Sequence, residues 1–214
     1  MQSVTRTRIK FCGITRPQDV IAACALGADA VGFVCFDGSP RHVAPQRLAE
    51  LTRELAPWVT PVLLFVNPAP GQVERALGAV PHALLQFHGA EPATDCARYG
   101  RAYLRAVAMS HGVDLLDWEQ RYASAAGMLA DAPSAGFGGS GRSFDWNCLP
   151  APERRARPLI LAGGLDASNV GDAVRTVRPF GVDVSSGVEV ERGLKSEALM
   201  REFMVAVRAA DQVS

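Results

Sequence analysis

The chain has 214 residues, of which 48% are hydrophobic, so it can bury the core of one large domain. Lys plus Arg equals Asp plus Glu at 22 each, and no basic stripe with interleaved aromatic residues occurs, which argues against nucleic acid as a partner. No apolar run approaches the roughly 20 residues that span a bilayer, and the N-terminal pattern is not that of a secretory signal, so we expect a cytoplasmic protein without membrane contact.

The cysteines favour neither disulfides nor a metal site. They are odd in number and never spaced as Cys-x-x-Cys, so we expect no bound metal. Each is either a small buried apolar residue or a reactive thiol. The cysteines are Cys12, Cys24, Cys35, Cys96 and Cys148.

The first predicted strand, 8–13, ends at a glycine and precedes a helix predicted over 17–26 that begins with a proline. Side chains alternate along a strand, so Lys10 and Cys12 share one face and the apolar residues share the other. In a barrel the apolar face packs on helices. Lys10 and Cys12 are therefore expected to point inward, with Cys12 at the carboxyl end, where barrel enzymes build their sites.

A second strand is predicted over 29–35, and the loop that follows it, 36–43, carries Arg41 before a helix predicted over 45–55. The guanidinium is a planar fork that matches a carboxylate or a phosphate. The alternative for an arginine in a loop is a solvated surface charge.

The third and fourth strands are predicted over 60–66 and 82–87, with a helix marked by apolar residues between 73 and 80. The fourth strand ends before His88. A histidine at this position could bind substrate or transfer protons, or donate only a structural hydrogen bond.

The fifth and sixth strands are predicted over 103–107 and 128–130, with an amphipathic helix over 113–123 between them. The next segment, 135–141, is too rich in glycine to be a helix. It is either a loop that covers a ligand or a linker, and the strand–helix rhythm that resumes soon afterwards favours the loop.

Asp145 follows this loop and lies between two large aromatic residues, Phe144 and Trp146. Apolar surroundings would raise the pKa of its carboxyl group and make it a better acid at neutral pH. The alternative is that Asp145 is the N-cap of a short turn over 146–149.

The seventh and eighth strands are predicted over 159–162 and 181–184, with a helix over 168–177 between them. Each strand ends in small residues whose backbone N–H groups can approach an anion closely, and barrels commonly hold a phosphate between these two loops. A tight turn without a ligand is the alternative for the glycine pair. The candidate phosphate-binding residues are Gly163, Gly164, Ser185, Ser186 and Gly187.

Strictly alternating strands and helices, ending in a helix over 196–209, predict an α/β fold, a (βα)8 TIM barrel in a single domain over 1–214. An open doubly wound sheet is the alternative, which the absence of a GxGxxG motif after the first strand disfavours.

Barrel closure brings the first strand beside the eighth, where Asp183 is on the same face as Ser185. A buried lysine needs a carboxylate partner, so we predict that Lys10 and Asp183 are neighbours and that Lys10 favours the thiolate of Cys12. The alternative is that Asp183 caps a helix and Lys10 pairs with Asp131.

Six segments, in order, resemble the phosphoribosylanthranilate isomerase family over almost the whole chain. They are Lys10-Phe11-Cys12-Gly13-Ile14-Thr15, Gly32-Phe33-Val34 with Ser39-Pro40-Arg41, Gln86-Phe87-His88-Gly89, Gly138-Gly139-Ser140-Gly141 with Phe144-Asp145-Trp146, Leu161-Ala162-Gly163-Gly164-Leu165, and Gly181-Val182-Asp183-Val184-Ser185-Ser186-Gly187-Val188-Glu189.

The resemblance implies an Amadori rearrangement of a phosphorylated aminoaldose to an aminoketose, by acid–base catalysis that needs no cofactor. It implies that Asp145 is the general acid, Cys12 the general base and Arg41 the ligand of the anthranilate carboxylate. The two small-residue loops would hold the phosphate, with His88 and Asp183 also lining the substrate site. We expect a small phosphorylated substrate as the partner, and a monomer or homodimer.

Two other functions compete with this interpretation. Indole-glycerol-phosphate synthase, a related lyase, needs further acid and base groups, typically lysines and glutamates at strand ends. Lys10 and Lys195 are the only lysines in the sequence, and Lys195 lies beyond the last predicted strand, so the lyase is disfavoured. A non-catalytic barrel that binds a phosphorylated ligand would need neither Cys12 nor Asp145.

Overall fold

A computed structural model describes residues 6–133 and 143–212. Eight parallel strands form a closed barrel in chain order, with β1 paired to β8, so the prediction of a (βα)8 barrel is confirmed. An additional antiparallel hairpin follows the barrel. The barrel strands are β1 (Arg8–Cys12), β2 (Ala30–Val34), β3 (Thr60–Phe65), β4 (Leu84–Phe87), β5 (Tyr103–Ala108), β6 (Gly127–Asp131), β7 (Leu159–Leu161) and β8 (Gly181–Val184), and the hairpin strands are β9 (Glu189–Glu191) and β10 (Leu194–Lys195).

Helices surround the barrel, and none of those in the described ranges is long and apolar enough to cross a bilayer. They are α1 (Pro17–Leu26), α2 (Pro45–Thr52), α3 (Gln72–Ala79), α4 (Ala93–Ala97), α5 (Leu115–Arg121), α6 (Val170–Val177) and α7 (Glu197–Asp211). Between β6 and β7 the described residues form two short 3-10 turns, Trp146–Cys148 and Pro152–Arg154.

Caps account for helix ends that periodicity alone misplaces. Helix α5 begins at 115 rather than 113 because the Asp114 carboxylate accepts a hydrogen bond of 2.9 Å from the Leu116 N–H, which makes Asp114 the N-cap. Ser196 likewise caps α7 instead of opening it. Helix α4 is absent from the sequence prediction because its short span offers too little apolar periodicity.

The alternation along β1 divides the core into two layers. Phe11 is fully buried between the sheet and α7, where its ring lies 6.2 Å from that of Phe203 in an edge-to-face arrangement. Cys12 faces the barrel interior and packs with Val34 and Leu64. The predicted inward orientation of Cys12 is thus confirmed, and β1 presents its polar side chains to the interior.

Candidate active site

A cavity opens at the carboxyl ends of the barrel strands, where the sequence predicts the site. Of the predicted site residues, all of which lie in the described ranges, Gly187 and Asp145 are not among those that line it. The polar and small residues that line the cavity are Cys12, Ser39, Arg41, Gln86, His88, Asp131, Gly163, Gly164, Asp183, Ser185 and Ser186.

Lys10 and Asp183 form a buried ion pair inside the barrel, as predicted. Their Cα positions are in register between β1 and β8, and Nζ of Lys10 lies 2.7 Å from Oδ2 of Asp183. Burial is the largest single influence on Lys10 and lowers its pKa, but attraction to Asp183 and Cys12 together with hydrogen bonds to both outweighs it, and the pKa is raised. Lys10 therefore remains a cation in the interior, and neither pairing with Asp131 nor helix capping by Asp183 occurs.

The thiol of Cys12 lies beside this ammonium because both groups occupy the space next to Gly32. A β-carbon built on Gly32 would lie 2.9 Å from Sγ of Cys12 and 3.1 Å from Nζ of Lys10. Burial raises the pKa of the Cys12 thiol, and the charges of Lys10 and Lys195 act against this without overcoming it. Lys10 lowers the pKa of the thiol, as predicted, but the opposite effect of burial on that pKa is larger.

Arg41 is buried and paired, which rules out the alternative of a solvated surface charge. Its Nε and Nη2 donate to the two carboxylate oxygens of Glu189 at 2.8 and 2.7 Å, in a bidentate arrangement. The stem of Arg41 passes over Gly13, where a β-carbon would collide with Cδ. Gly13, at φ +73°, thus brings the arginine next to the end of β1.

Sequence reasoning gave no site role to Glu189 and Lys195, which lie on the hairpin and contact the cavity residues Arg41 and Ser185. Nζ of Lys195 lies 2.7 Å from Oε1 of Glu189 and 3.0 Å from the carbonyl oxygen of Ser185. Although Lys195 follows the last barrel strand, the hairpin folds its side chain back against the loop after β8. The sequence signal that could have predicted this hairpin is Gly193, which lies between two short polar segments.

His88 is held by two side chains of neighbouring strands. Its Nε2 lies 3.0 Å from Oδ2 of Asp131, and its Nδ1 lies 3.4 Å from Nε2 of Gln86. These two contacts fix the orientation of the imidazole ring in the cavity. The structural hydrogen bond that the sequence offered as an alternative is therefore present.

Two buried acceptors of the cavity have no hydrogen-bond partner within the described residues: Oε1 of Gln86 and Oδ1 of Asp183. Unsatisfied buried acceptors are costly, so they are suited to ligand groups that donate, such as hydroxyls. No cluster of three or more His, Cys, Asp or Glu side chains in the described ranges is arranged to hold a metal ion.

The glycine pair after β7 adopts backbone conformations that other residues rarely take. Gly163 and Gly164 have φ of +87° and +63°, and a β-carbon on Gly163 would collide with the backbone nitrogen of Ala132. Both glycines line the cavity. The glycine pair therefore forms the tight turn that the sequence offered as the alternative. It also leaves the cavity wall without side chains at these two positions.

The loop after β8 packs directly on the loop after β7. Ser185 and Ser186 line the cavity, whereas a β-carbon on Gly187 would collide with the carbonyl oxygen of Leu165. Gly187 is needed for this close approach between the two loops. Its expected place at the phosphate stays a prediction, and the structure adds a role in setting the spacing of the two loops.

Asp145 lies on the surface, not in apolar surroundings, so that expectation is wrong. Its Oδ1 accepts from the Asn147 backbone N–H at 3.0 Å and from Nδ2 of Asn147 at 2.9 Å. Asp145 is thus the N-cap of the turn Trp146–Cys148, which was the alternative. The predicted glycine-rich loop lies outside the described residues.

A closed barrel with a thiol, an arginine and two small-residue loops around one cavity defines a TIM-barrel enzyme. The family model for N-(5'phosphoribosyl)anthranilate (PRA) isomerase matches residues 9–206. The N-(5'-phosphoribosyl)anthranilate isomerase of Leptothrix cholodnii is 52% identical, covering 98% of this chain and 94% of the relative.

Solved structures agree with the family match. The crystal structure of phosphoribosyl anthranilate isomerase from Thermotoga maritima has a TM-score of 0.84 and 37% identity, covering 95% of this chain and 99% of that one. Another isomerase structure, in complex with reduced 1-(o-carboxyphenylamino)-1-deoxyribulose 5-phosphate, has a TM-score of 0.77 and 32% identity at the same coverage. The chain therefore belongs to the phosphoribosylanthranilate isomerase family, aldose–ketose isomerases that carry out an Amadori rearrangement in tryptophan biosynthesis.

Proposed function

We propose that this chain rearranges N-(5-phosphoribosyl)anthranilate to the 1-deoxyribulose 5-phosphate in the described cavity, with Cys12 as general base and Asp145 as general acid. The observation that carries the proposal is the placement of the Cys12 thiol at the carboxyl end of β1, beside Lys10 and inside a cavity that Arg41 also lines. A buried base next to a cation, with anion-binding groups at a distance, suits proton abstraction from an anionic substrate.

The acid step opens the sugar. Asp145 gives its proton to the furanose ring oxygen, the bond from that oxygen to C1 breaks, and the nitrogen lone pair forms the Schiff base. The motif match is what supports this role for Asp145. Its contacts in the structure do not bear on it, because its carboxylate accepts a hydrogen bond from Asn147.

The base step follows at C2. The Cys12 thiolate removes the C2 proton, the electron pair forms the enolamine, and the enolamine tautomerises to the ketone. The step requires a thiolate although burial raises the pKa of Cys12, so the cations of Lys10 and Lys195 supply the opposing stabilisation.

The remaining groups anchor the substrate. Arg41 binds the anthranilate carboxylate, and Gly163, Gly164, Ser185 and Ser186 surround the phosphate. These anchors are remote from the reacting carbon, so their binding energy orients the substrate rather than changing a bond. The ribose hydroxyls then have acceptors in Asp183 and Gln86, beside His88.

One assay tests the proposal. The purified protein is mixed with freshly generated phosphoribosylanthranilate, the loss of its fluorescence is followed, and the product is identified. We expect enzyme-dependent formation of the 1-deoxyribulose 5-phosphate. Binding without turnover would support a non-catalytic barrel, and an indole product would support the lyase.

We also propose that the protein is a cytoplasmic monomer or homodimer. The described cysteines are all free thiols, which suits a reducing compartment. A related structure from Thermotoga maritima is described as mutually generated monomers of a dimeric isomerase. Analytical ultracentrifugation tests the assembly, and a species larger than a dimer would contradict it.

A further inference from the structure

We propose that Glu189 and Lys195 are positioning residues that fix the carboxylate-binding arginine and the phosphate-binding loop relative to each other. The inference rests on the proposed roles of Arg41 and Ser185. Glu189 is the shared group, because its one carboxylate contacts both cations. The hairpin would thereby set the distance between the two anion-binding ends of the cavity.

The first contact orients the arginine. Glu189 occupies the edge of the Arg41 guanidinium formed by Nε and Nη2, at 2.8 and 2.7 Å. The bidentate pair fixes the plane of the guanidinium and leaves Nη1 outside the pair. Both side chains are almost fully buried, at 8% and 4% exposure, so water does not compete for this geometry.

The second contact holds the loop. Nζ of Lys195 has three donors and three acceptors in reach: Oε1 of Glu189 at 2.7 Å, and the carbonyl oxygen and Oγ of Ser185 at 3.0 and 3.3 Å. The Lys195 side chain has no exposed surface. Its ammonium is therefore satisfied by the loop and by Glu189 rather than by solvent.

The hairpin is itself fixed to the loop after β1, which directly follows Cys12, the last residue of that strand. Oγ1 of Thr15 donates to the carbonyl oxygen of Gly193 at 2.8 Å, and Nη2 of Arg16 donates to that of Lys195 at 3.1 Å. Val190 and Glu191 of the same hairpin are exposed. The charged side chains of Glu189 and Lys195, by contrast, are buried.

Substitution of Glu189 by Gln should misplace Arg41 while leaving an acceptor for Lys195. One amide oxygen can still accept at the Oε1 position, but the amide NH2 then faces Nη2 of Arg41, donor against donor. Losing a charged hydrogen bond of this kind predicts a roughly 10- to 100-fold rise in KM, with kcat within about threefold of wild type.

A double-mutant cycle separates positioning from a general structural role. Glu189→Gln is measured alone and in an Arg41→Ala background, with Glu191→Gln as the control because it makes the same change at an exposed position of the same strand. We expect the KM effect of Glu189→Gln to shrink to less than about threefold once Arg41 is absent. An undiminished effect in that background would overturn the proposal.

The Lys195 contact is tested by binding alone. Calorimetry with inorganic phosphate compares Lys195→Met with Arg192→Met, an exposed control that also removes one cation from the hairpin. We expect roughly tenfold weaker phosphate binding for Lys195→Met and an unchanged Kd for the control. Equal Kd values for wild type and Lys195→Met would overturn this half.

Two measures keep the tests decisive. Glu189→Asp, which keeps the charge on a shorter stem, replaces Glu189→Gln if the latter does not fold, and an unchanged KM there contradicts the proposal. Absence of isomerase activity in the wild type would instead contradict the proposed function. Active wild type with variants that behave like their controls contradicts the positioning role alone.

Discussion

The ammonium of Lys10 lies 2.7 Å from Oδ2 of Asp183, at the register position where β1 meets β8 and the barrel closes. This contact helps to keep a lysine charged in a buried position, since the combined interactions with Asp183 and Cys12 raise its pKa despite the burial that opposes them. Cys12 is two residues further along β1 on the same face. Barrel closure thus provides the carboxylate that pairs with Lys10, and the charged Lys10 lies beside the thiol.

Replacement of Lys10 by Met should change the pH profile. Lys10 lowers the pKa of Cys12 against the larger effect of burial, so its removal raises that pKa further. The rising limb of kcat/KM against pH, which reports formation of the thiolate, should move to higher pH.

The control for this profile is Lys10→Met combined with Asp183→Asn, which removes the unpaired buried carboxylate. The limb should still lie at higher pH than in wild type. An unchanged profile in both variants would mean that Lys10 is structural only.

Cys12→Ser should lower kcat by roughly two to four orders of magnitude, because a hydroxyl is a much weaker acid and cannot supply the thiolate base. Cys24→Ser is the matched control, since Cys24 lies on α1 outside the cavity lining. Steady-state kinetics on both variants give the comparison. A Cys12→Ser enzyme with more than about a third of wild-type kcat would remove Cys12 from the role of base.

Asp145→Asn should cause a similar loss of kcat, roughly two to four orders of magnitude, because an amide cannot donate the proton. Asparagine is as good an N-cap as aspartate, so the turn after position 145 should be retained and the loss should not reflect unfolding. Asp172→Asn, an exposed change on α6, serves as the control. Near-normal kcat for Asp145→Asn would direct the search for the acid to Asp131 in the cavity.

The alternation of strands and helices along the chain was sufficient to predict the fold. The Lys10–Asp183 pair followed from the alternation of side chains within β1 and β8 together with barrel closure. Glu189 and Lys195 could not be placed in this way. They lie beyond the last barrel strand, where position depends on how a short hairpin packs against the barrel rather than on a repeating pattern.

Asp145 shows a different limit of sequence reasoning. Phe144 and Trp146 flank it in sequence, yet both pack partly buried against the main core, and the carboxylate between them stays at the surface. Neighbours in sequence therefore do not form its environment. The motif match assigns Asp145 the role of general acid, but the neighbouring aromatic residues predicted the wrong surroundings for its carboxylate.

Glu189→Gln should also change stability in a pH-dependent way. Burial opposes ionisation of Glu189, but hydrogen bonds and charge from Arg41 and Lys195 outweigh it and lower its pKa. A lowered folded-state pKa gives stability that is present above the unfolded value, about 4.3, and is lost as the pH falls through the folded value.

The free energy of unfolding should therefore differ most between wild type and Glu189→Gln above about pH 4.5, and the difference should shrink on acidification. Urea unfolding at several pH values measures it. Glu191→Gln, whose carboxylate is exposed, should show no such dependence. A difference that grows as the pH falls would contradict the assignment.

Gly32→Ala tests how closely the thiol and the ammonium are held. A β-carbon at this position would lie 2.9 Å from Sγ of Cys12, 3.1 Å from Nζ of Lys10 and 3.1 Å from Cα of Cys12. The last contact is with backbone in the barrel wall, so relief by side-chain rotation is incomplete. We expect kcat to fall roughly tenfold or more, as the displaced thiol no longer meets the C2 proton in line.

Gly78→Ala is the control, because no atom lies within 4 Å of its β-carbon in α3 and alanine favours the helix, so it should keep activity and gain about 0.5–1 kcal/mol of stability. Full activity in Gly32→Ala would show that the thiol does not need this position.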